Sequence, residues 1–374
     1  MLRHATLDDI PALLTIEQQC FATDRLSRRS FRHVLTHGNA TMVLDEDRGL
    51  VRGYVLLLFS RSTSVSRLYS IAVQPDQARC GIGDRLLAAA EAAALDHDCV
   101  SMRLEVRRDN PASLALFLRR GYHQFAETPD YYEDHMDALR FEKRLAPDWP
   151  AELTPVPYYR QTLDFTCGPA ALMMAMKALD PTLELTRKLE LRLWREATTI
   201  FMTSGHGGCG PYGLALSAYR RGFDLEIHVN EDGIFLIDSV RSAEKKEVMR
   251  LVQEDWIDEL QHLPVSLQHG RLSVAALRQK CQLGGIPLVL ISSYRIYGER
   301  FPHWVVVTGC DDHYIYVHDP LVNTAKGETA ADSTHLALPH REFERMARYG
   351  KAGQKAVLIL YRSRRPERAL PSQL

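Results

Sequence analysis

Apolar positions in the first 145 residues switch repeatedly between helical and strand-like spacing. Rough helical spacing recurs over residues 7–21 and 27–37, with Thr6 as a candidate cap for the first helix. Runs rich in β-branched or aromatic residues predict strands at 40–44, 53–60 and 66–73. A helix over 83–97, a strand over 100–106, a helix over 111–120 and a final strand pair before residue 145 complete a mixed α/β unit of one-domain size.

The second half of the chain predicts helices followed by a sheet. A helix begins at Gly168, an amphipathic helix covers 242–262 and a short helix covers 272–281. We assign the apolar stripe of the 242–262 helix to the core; it consists of Val248, Leu251, Val252, Trp256 and Leu260. Strand-like runs at 284–293, 303–310, 314–320 and 356–362 then predict four strands of one twisted sheet.

Length and proline content predict two domains. A chain of 374 residues exceeds what one hydrophobic core usually serves. The stretch 147–157 lacks periodicity and carries four prolines, so it predicts a linker. We therefore expect a first domain over 1–146, a linker over 147–157, a second domain over 158–365 and a tail over 366–374.

Charge and cysteine usage exclude several classes. The formal net charge of -1 offers no field to attract nucleic acid or an anionic membrane. There is no run of about 18 apolar residues and no apolar signal region, so we expect a cytoplasmic protein without membrane contact. The seven cysteines are scattered without a Cys-x-x-Cys pair, which argues against disulfides and zinc. His206 and Cys209 lie in a glycine-dense stretch without further ligands, which we interpret as a loop beside a cleft and not as a metal site.

One cysteine stands where a nucleophile would be favoured. Cys167 stands next to the N-terminus of the helix predicted from Gly168, and the free amides at a helix N-terminus favour a thiolate. Such a nucleophile needs a base and an orienting group from distant sequence. His303 opens one strand-like run and Asp319 closes the next, while the side-chain amide of Gln161 could donate to an oxyanion.

The order Gln161, Cys167-Gly, His303 and Asp319-Pro resembles the papain-like cysteine peptidases of the bacteriocin-processing family, which trim double-glycine leader peptides beside certain ABC exporters. The resemblance covers roughly residues 155 to 320. It implies that His303 deprotonates Cys167, that Asp319 orients His303, and that Gln161 and the Cys167 amide stabilise the oxyanion. Two other interpretations of Cys167 stay open: an inert core cysteine, and a family fold that has lost its activity.

A strand, a glycine-bearing turn and a helix meet in I-A-V-Q-P-D-Q-A-R-C-G-I-G-D, residues 71–84. Glycines let a ligand approach the backbone, and a helix N-terminus presents free amides, so a pyrophosphate fits there. By itself this G-x-G could equally be an ordinary tight turn.

Residues 71–87 and 104–122 together resemble the GNAT acetyltransferases, and especially the bacterial enzymes that acetylate the N-terminal alanine of ribosomal proteins. The resemblance implies an acetyl-CoA cofactor and a general base at Glu105, which would act on the attacking amine through water. The alternative for Glu105 is a solvated strand residue. The cofactor-binding residues so implied are Ile71, Val73, Arg79, Gly81, Ile82, Gly83 and Asn110.

The chain departs from the GNAT pattern at two positions. Phe117 stands in A-L-F where the family has a general-acid tyrosine, and phenylalanine cannot protonate the departing thiolate. Tyr131, Tyr132 or solvent would then supply the proton. Ala78 replaces the usual arginine or glutamine that opens the pyrophosphate motif, a change that backbone contacts should tolerate.

The expected fold class is α/β, a GNAT fold followed by a papain-like cysteine peptidase domain. The expected function is a bifunctional enzyme, an acetyl-CoA-dependent N-acetyltransferase joined to a Cys-His-Asp peptidase, acting on a peptide or protein with a free N-terminal amine. Two alternatives remain: the second domain could transfer its acyl group to an amine, or the GNAT domain could act as an acetyl-CoA sensor that regulates the peptidase. The sequence gives no indication of the oligomeric state.

Overall fold

The structure is a computed structural model that describes residues 1–37, 39–60, 63–145, 153–199, 207–230, 233–237, 240–297, 301–324, 328–350 and 352–363. The chain divides into two compact units, Met1–Pro150 and Ala151–Leu374. No helix within the described residues is both long enough and apolar enough to cross a membrane.

The N-terminal unit alternates helices and strands as its apolar pattern predicts. In chain order its elements are β1 (Leu2–His4), α1 (Ile10–Cys20), α2 (Arg28–His37), β2 (Ala40–Asp47), β3 (Leu50–Phe59), β4 (Val65–Val73), α3 (Ile82–Asp96), β5 (Ser101–Arg107), α4 (Pro111–Arg119), β6 (His123–Thr128) and β7 (Ala138–Arg144).

The strands of this unit form one sheet in the order β1-β2-β3-β4-β5-β7-β6. Alternate side chains of a strand point to opposite faces, so the sheet has two apolar faces to cover. Helix α3 packs on one face through Leu86 and Leu87, while α1 and α2 cover the other through Leu13 and Phe31. The β4–β5 pair is parallel and the other neighbours are antiparallel.

The C-terminal unit places its helices before and between the strands of a second sheet. Its elements are α5 (Cys167–Leu179), α6 (Arg187–Ala197), α7 (Pro211–Arg220), β8 (Asp224–Val229), α8 (Ala243–Gln261), β9 (Ser266–His269), α9 (Val274–Gln282), β10 (Ile286–Ser292), α10 (Tyr294–Tyr297), β11 (Pro302–Cys310), β12 (Tyr314–His318), β13 (Leu336–Pro339), α11 (His340–Met346) and β14 (Ala356–Tyr361).

This second sheet has the strand order β13-β12-β11-β10-β14-β8-β9. Helix α5 is the central element of one face: its residues from Gly168 to Met176 are all buried. The opposite face is covered by α9 and α11 through residues such as Leu277 and Phe343. The four predicted strands are β10, β11, β12 and β14, and within the described residues β8, β9 and β13 extend the sheet.

Two details differ from the sequence predictions. The linker predicted to reach Pro157 is shorter, because Leu153 bridges Gly309 of β11, and the backbone N–H of Thr154 donates to Thr308 O at 2.7 Å. Residues 146–152 and the predicted tail, 366–374, lie outside the described residues.

The buried face of α8 also differs from the predicted stripe. Leu251 is 57% exposed, and the buried residues are Met249, Gln253, Trp256 and Leu260. Gln253 is tolerated inside because its amide makes two hydrogen bonds with the backbone of Phe235. A hydrophobic pattern cannot identify a buried polar side chain whose partners come from elsewhere in the chain.

Candidate active sites

Cys167 is the first residue of α5, and Thr166 occupies the preceding cap position. The cysteine is half-buried, whereas the rest of the first turn is buried. The position after it is tightly packed, since a Cβ at Gly168 would lie 3.2 Å from side-chain atoms of Cys209, Leu214 and Trp304. The thiol therefore sits at the N-terminus of a helix packed directly on the sheet.

His303 and Asp319 lie at the same edge of that sheet. His303 is near the start of β11, and Asp319 follows β12, which runs antiparallel beside β11. His303 Nε2 is 2.6 Å from Asp319 Oδ1, and both side chains are buried. Burial disfavours an imidazolium, but the charge of Asp319 and the hydrogen bond with the Cys167 thiol outweigh it and raise the pKa of His303 to about 10. The structure thus brings together cysteine, histidine and aspartate.

Gln161 lies against this cluster. Its backbone N–H donates to Pro320 O at 2.9 Å, directly after Asp319. Its side-chain Nε2 donates to Leu163 O at 2.9 Å, and its buried Oε1 has no partner within the described residues. An amide nitrogen carries two hydrogens, so one donor of Gln161 remains for an oxyanion.

A buried glutamate that the sequence analysis missed organises the segment before Cys167. Glu190 of α6 is fully buried and accepts hydrogen bonds from the hydroxyls of Tyr159, Thr162 and Thr166 and from the Thr162 backbone N–H. These donors come from the segment that also carries Gln161. No local signal could reveal this role, because α6 reads as an ordinary polar helix.

Cys209, in the glycine-dense stretch 205–213, belongs to the buried core. Cys209 is buried, which raises the pKa of its thiol well above the ordinary value, and its carbonyl accepts a hydrogen bond from Trp304 Nε1 at 3.0 Å. His206 lies outside the described residues. Across the part of the chain that the structure describes, no cluster of three or more His, Cys, Asp or Glu side chains could hold a metal ion.

In the N-terminal unit, β4 and β5 separate at one end. Their parallel pairing runs from Val65–Ser101 to Leu68–Leu104 and stops there, although β4 continues to Val73. Beyond Leu68 the edge of β4 that faced β5 has no strand partner among the described residues. Ile71 and Val73 lie on this open edge, the side that a pantetheine arm would approach. The carbonyl of Val73 also accepts a hydrogen bond from the Cys20 thiol, at 3.2 Å.

The loop after β4 is shaped as an anion site. Arg79 and Gly81 both adopt left-handed backbone conformations, with φ of 63° and 73°, and α3 begins at Ile82. Alternating conformations of this kind turn successive amides towards one point, at a helix N-terminus. The side chain of Ile82 is buried in the core, so it can offer only its amide. A Cβ at Gly83 would meet only ordinary contacts. These residues fit the diphosphate of acetyl-CoA.

Asn110 has a structural task of its own. It caps α4, and its side-chain Oδ1 accepts a hydrogen bond from the Ser113 backbone N–H at 3.1 Å. Any contact with cofactor would come in addition to this cap.

Glu105 is not the solvated strand residue that was the alternative. Its side chain is 9% exposed on β5, with Oε2 2.9 Å from Arg67 Nε and Oε1 3.2 Å from Arg140 Nε. Arg67 also donates to the Tyr131 hydroxyl at 2.6 Å. A water or amine must therefore share the Glu105 carboxylate with two guanidinium groups, neither of which the sequence pattern indicated.

The residues around the missing acid are aromatic. Phe117 is buried and meets the ring of Tyr122 edge-on at 5.6 Å. Tyr131 and Tyr132 pack edge-on at 5.0 Å, and burial raises the pKa of each phenol. Both phenols therefore keep their protons at neutral pH, as a general acid requires.

The separated strands, loop and helix of the first unit are the arrangement of an acetyl-CoA-binding domain, and the cysteine, histidine and aspartate of the second resemble a cysteine peptidase site. A family model described as the Peptidase_C39 like family matches residues 156–361, so the chain belongs to that family. The model of the Acetyltransferase (GNAT) family matches residues 10–122, so the first unit is a GNAT domain and its cofactor is acetyl-CoA. Both predicted resemblances and the mixed α/β fold class are confirmed.

Curated relatives match the N-terminal unit. The N-terminal acetyltransferase complex ARD1 subunit homolog of Dictyostelium discoideum is 29% identical over 157 residues, 39% of this chain and 74% of that protein. The ribosomal protein bS18-alanine N-acetyltransferase of Salmonella typhimurium is 28% identical over 134 residues, which cover 35% of this chain and 88% of that protein. The crystal structure of the Escherichia coli ribosomal-protein-S18-alanine N-acetyltransferase has 24% identity and a TM-score of 0.36, covering 39% of this chain and 93% of that one. The two curated relatives support acetyltransferase activity in this unit.

Proposed function

We propose that the chain is a bifunctional enzyme that cleaves peptides with its second domain and acetylates N-terminal amines with its first. The observation that carries the peptidase half is the buried His303–Asp319 pair at 2.6 Å, together with the interaction of the Cys167 thiol, at the start of α5, that helps to raise the pKa of the same imidazole. Packing of an inert core cysteine does not explain an imidazole that is held beside it by a buried carboxylate.

The peptidase reaction follows from these contacts. His303 takes the thiol proton, and Cys167 Sγ attacks the scissile carbonyl carbon. The oxyanion is stabilised by the Cys167 amide and by the remaining donor of Gln161. As the peptide C–N bond breaks, His303 returns the proton to the leaving amine, and a thioester to Cys167 remains. Water, deprotonated by His303, then hydrolyses this thioester and restores the thiol.

For the acetyltransferase half, bound acetyl-CoA supplies an activated acetyl group as its thioester. Ile71 and Val73 on the open edge of β4 would hold the pantetheine arm, and the amides from Arg79 to Gly83 would hold the pyrophosphate. Glu105 accepts the proton of the attacking amine through water. Tyr132 or Tyr131 returns a proton to the leaving thiolate, in place of the acid that Phe117 cannot provide.

The two activities would act in succession on one substrate. Hydrolysis of a peptide bond frees an α-amine, and an α-amine is what an N-acetyltransferase consumes. This coupling rests on the presence of both domains in one chain.

A second function for the first domain, acetyl-CoA sensing, is favoured by two observations. Phe117 removes the usual acid, and both oxygens of Glu105 are already engaged by arginines. A domain with these features could bind acetyl-CoA and transfer its acetyl group slowly.

Mass spectrometry of a peptide library distinguishes these functions. The protein is incubated with the library, with and without acetyl-CoA and with and without added amines, beside a Cys167→Ala variant. We expect Cys167-dependent cleavage and acetylation of the new N-termini. Amide products with the added amine would indicate acyl transfer in place of hydrolysis, and cleavage without acetylation would favour the sensor. Cleavage that persists in Cys167→Ala would contradict the proposed peptidase.

A further inference from the structure

A tyrosine outside the predicted catalytic set contacts the orienting carboxylate. Tyr297 of α10 places its hydroxyl 2.8 Å from Asp319 Oδ2 and 3.3 Å from Leu321 O. Asp319 Oδ1 accepts from His303 Nε2 at 2.6 Å and from the Leu321 backbone N–H at 2.8 Å. Among the described residues Tyr297 is the one donor to Oδ2. The two carboxylate oxygens therefore bind different donors: Oδ1 binds His303 and Leu321, and Oδ2 binds Tyr297.

The ring of Tyr297 also contacts the catalytic imidazole. It stacks on Phe301 with ring centres 6.1 Å apart. Both rings meet His303 edge-on, at 6.0 Å for Tyr297 and 5.8 Å for Phe301. Tyr297 therefore touches the base through its ring and the orienting group through its hydroxyl.

We propose that Tyr297 is a positioning residue of the cysteine peptidase site. Its hydroxyl holds the Asp319 carboxylate so that Oδ1 faces His303, and its ring limits rotation of the imidazole. The inference rests on the proposed peptidase function, because Tyr297 would otherwise have no reaction to serve.

The physical reason is the complete burial of Asp319. A buried carboxylate oxygen without a donor is costly, so the group turns towards whatever donor remains. Without the Tyr297 hydroxyl, Oδ2 would compete with Oδ1 for the donors on His303 and Leu321. The imidazolium would then be held in more than one orientation, and the Cys167 thiolate would be stabilised less.

The chain offers a matched control at the same aspartate. Tyr158 also donates a hydrogen bond to Asp319, at 2.9 Å, but to its backbone carbonyl. Tyr297→Phe and Tyr158→Phe thus each remove one hydroxyl and keep the ring. Only the first removes a hydrogen-bond donor from the carboxylate.

The test measures alkylation of Cys167 by iodoacetamide in the full chain between about pH 5 and pH 10, with exposed Cys80 as an internal reference and thermal unfolding recorded for each variant. The titratable groups facing His303 are Cys167, Asp319 and Tyr297, and Glu328 and Tyr158 face Tyr297. A hydrogen bond to a charged group corresponds to roughly a ten- to hundredfold change in equilibrium. We expect Tyr297→Phe to slow the alkylation of Cys167 roughly ten- to hundredfold at neutral pH. The pH at which the alkylation rate rises should also be higher in this variant. Tyr158→Phe should leave both unchanged.

Equal rates and pH profiles in the two variants would overturn the inference while leaving the proposed peptidase intact. A wild-type Cys167 that reacts no faster than Cys80 would instead overturn the proposed peptidase, and the role of Tyr297 with it. If Tyr297→Phe does not fold, Tyr297→His keeps a ring with an N–H donor. A Tyr297→His profile like that of the wild type supports the donor role, and one shifted as far as Asp319→Asn contradicts it.

Discussion

Replacing Asp319 by asparagine tests the electrostatic basis of the proposed triad. The change keeps the size of the side chain and removes one charge. Asp319 is fully buried, and its Oδ1 lies 2.6 Å from Nε2 of an equally buried His303. Because neither group can be solvated in compensation, the effect of the lost charge should appear almost undiluted at His303 and, through it, at Cys167.

The expected magnitude follows from the pKa of His303. Burial lowers it, yet Asp319 and the Cys167 thiol raise it from 6.5 to about 10. Each pKa unit is a tenfold change in the protonation equilibrium, so the net shift favours the imidazolium by more than about a thousandfold, and the two groups contribute more than this because burial opposes them. Without Asp319, burial dominates and His303 should be neutral at pH 7. We expect alkylation of Cys167 at that pH to fall by roughly a hundredfold or more.

The assay is the rate of iodoacetamide labelling, followed by mass spectrometry at individual cysteines. Cys80 is exposed and is the appropriate reference, whereas burial raises the pKa of the Cys99 and Cys310 thiols to about 11, so they should label slowly whatever happens at the triad. In the wild type Cys167 should react well ahead of Cys80. In Asp319→Asn it should not, and the rate should begin to rise at higher pH.

The pair of His303 and Asp319 also makes the stability of the folded state depend on pH. The pKa of His303 is raised on folding, so the imidazolium stabilises the folded state fully below about pH 6.5, and this stability is lost as the pH rises to about 10. Denaturant unfolding across that window should show a decline in the wild type that Asp319→Asn lacks. Unchanged Cys167 labelling in a folded Asp319→Asn variant, with Cys80 also unchanged, would refute the reasoning.

Three further predictions concern the cofactor loop, the general acid and the segment before Cys167. Gly81→Glu should abolish acetyl-CoA binding in calorimetry and leave Cys167 labelling intact, whereas Gly121→Glu, at an equally left-handed φ of 84° in open space, should retain binding; unchanged affinity in Gly81→Glu would argue against the loop as the pyrophosphate site. Tyr132→Phe should slow acetyl transfer at saturating acetyl-CoA about a hundredfold with little change in cofactor affinity, and Phe117→Tyr should partly restore it; an unchanged rate in Tyr132→Phe would contradict Tyr132 as the acid and leave Tyr131 or solvent, and with solvent as the acid Phe117→Tyr alone should raise the rate above wild type. Glu190→Ala should lower the free energy of unfolding by about 3 kcal/mol in denaturant titrations, because four buried hydrogen bonds lose their acceptor; a loss below about 1 kcal/mol would contradict this account of the network.

Local sequence was sufficient for the features that depend on neighbouring residues. The strand, glycine turn and helix over 71–84 were predicted because backbone freedom and helix starts are properties of short segments. The helix predicted from Gly168, next to Cys167, followed from the same kind of signal, and α5 begins one residue earlier, at Cys167. The confirmed family resemblances and fold class also rest on such ordered local motifs.

Long-range partners could not be read from those patterns. The donors to Glu105 come from β4 and β7, and the buried amide of Gln253 is satisfied by the backbone of Phe235. A hydrophobic pattern treats each of these polar residues as a candidate for solvent. Only packing decides whether a polar side chain is exposed or buried with a partner.

The candidate peptidase site shows the division most clearly. The sequence by itself determined which residue types are present and placed Cys167 near a helix N-terminus, which is enough to propose a nucleophile. The tertiary structure decided that the antiparallel strands β11 and β12 bring His303 to Asp319, and that α10 adds the hydroxyl of Tyr297. The physical reason is that a hydrogen bond requires a donor–acceptor distance that is correct to within a few tenths of an ångström. Such distances are set by the packing of whole elements and not by spacing along the chain.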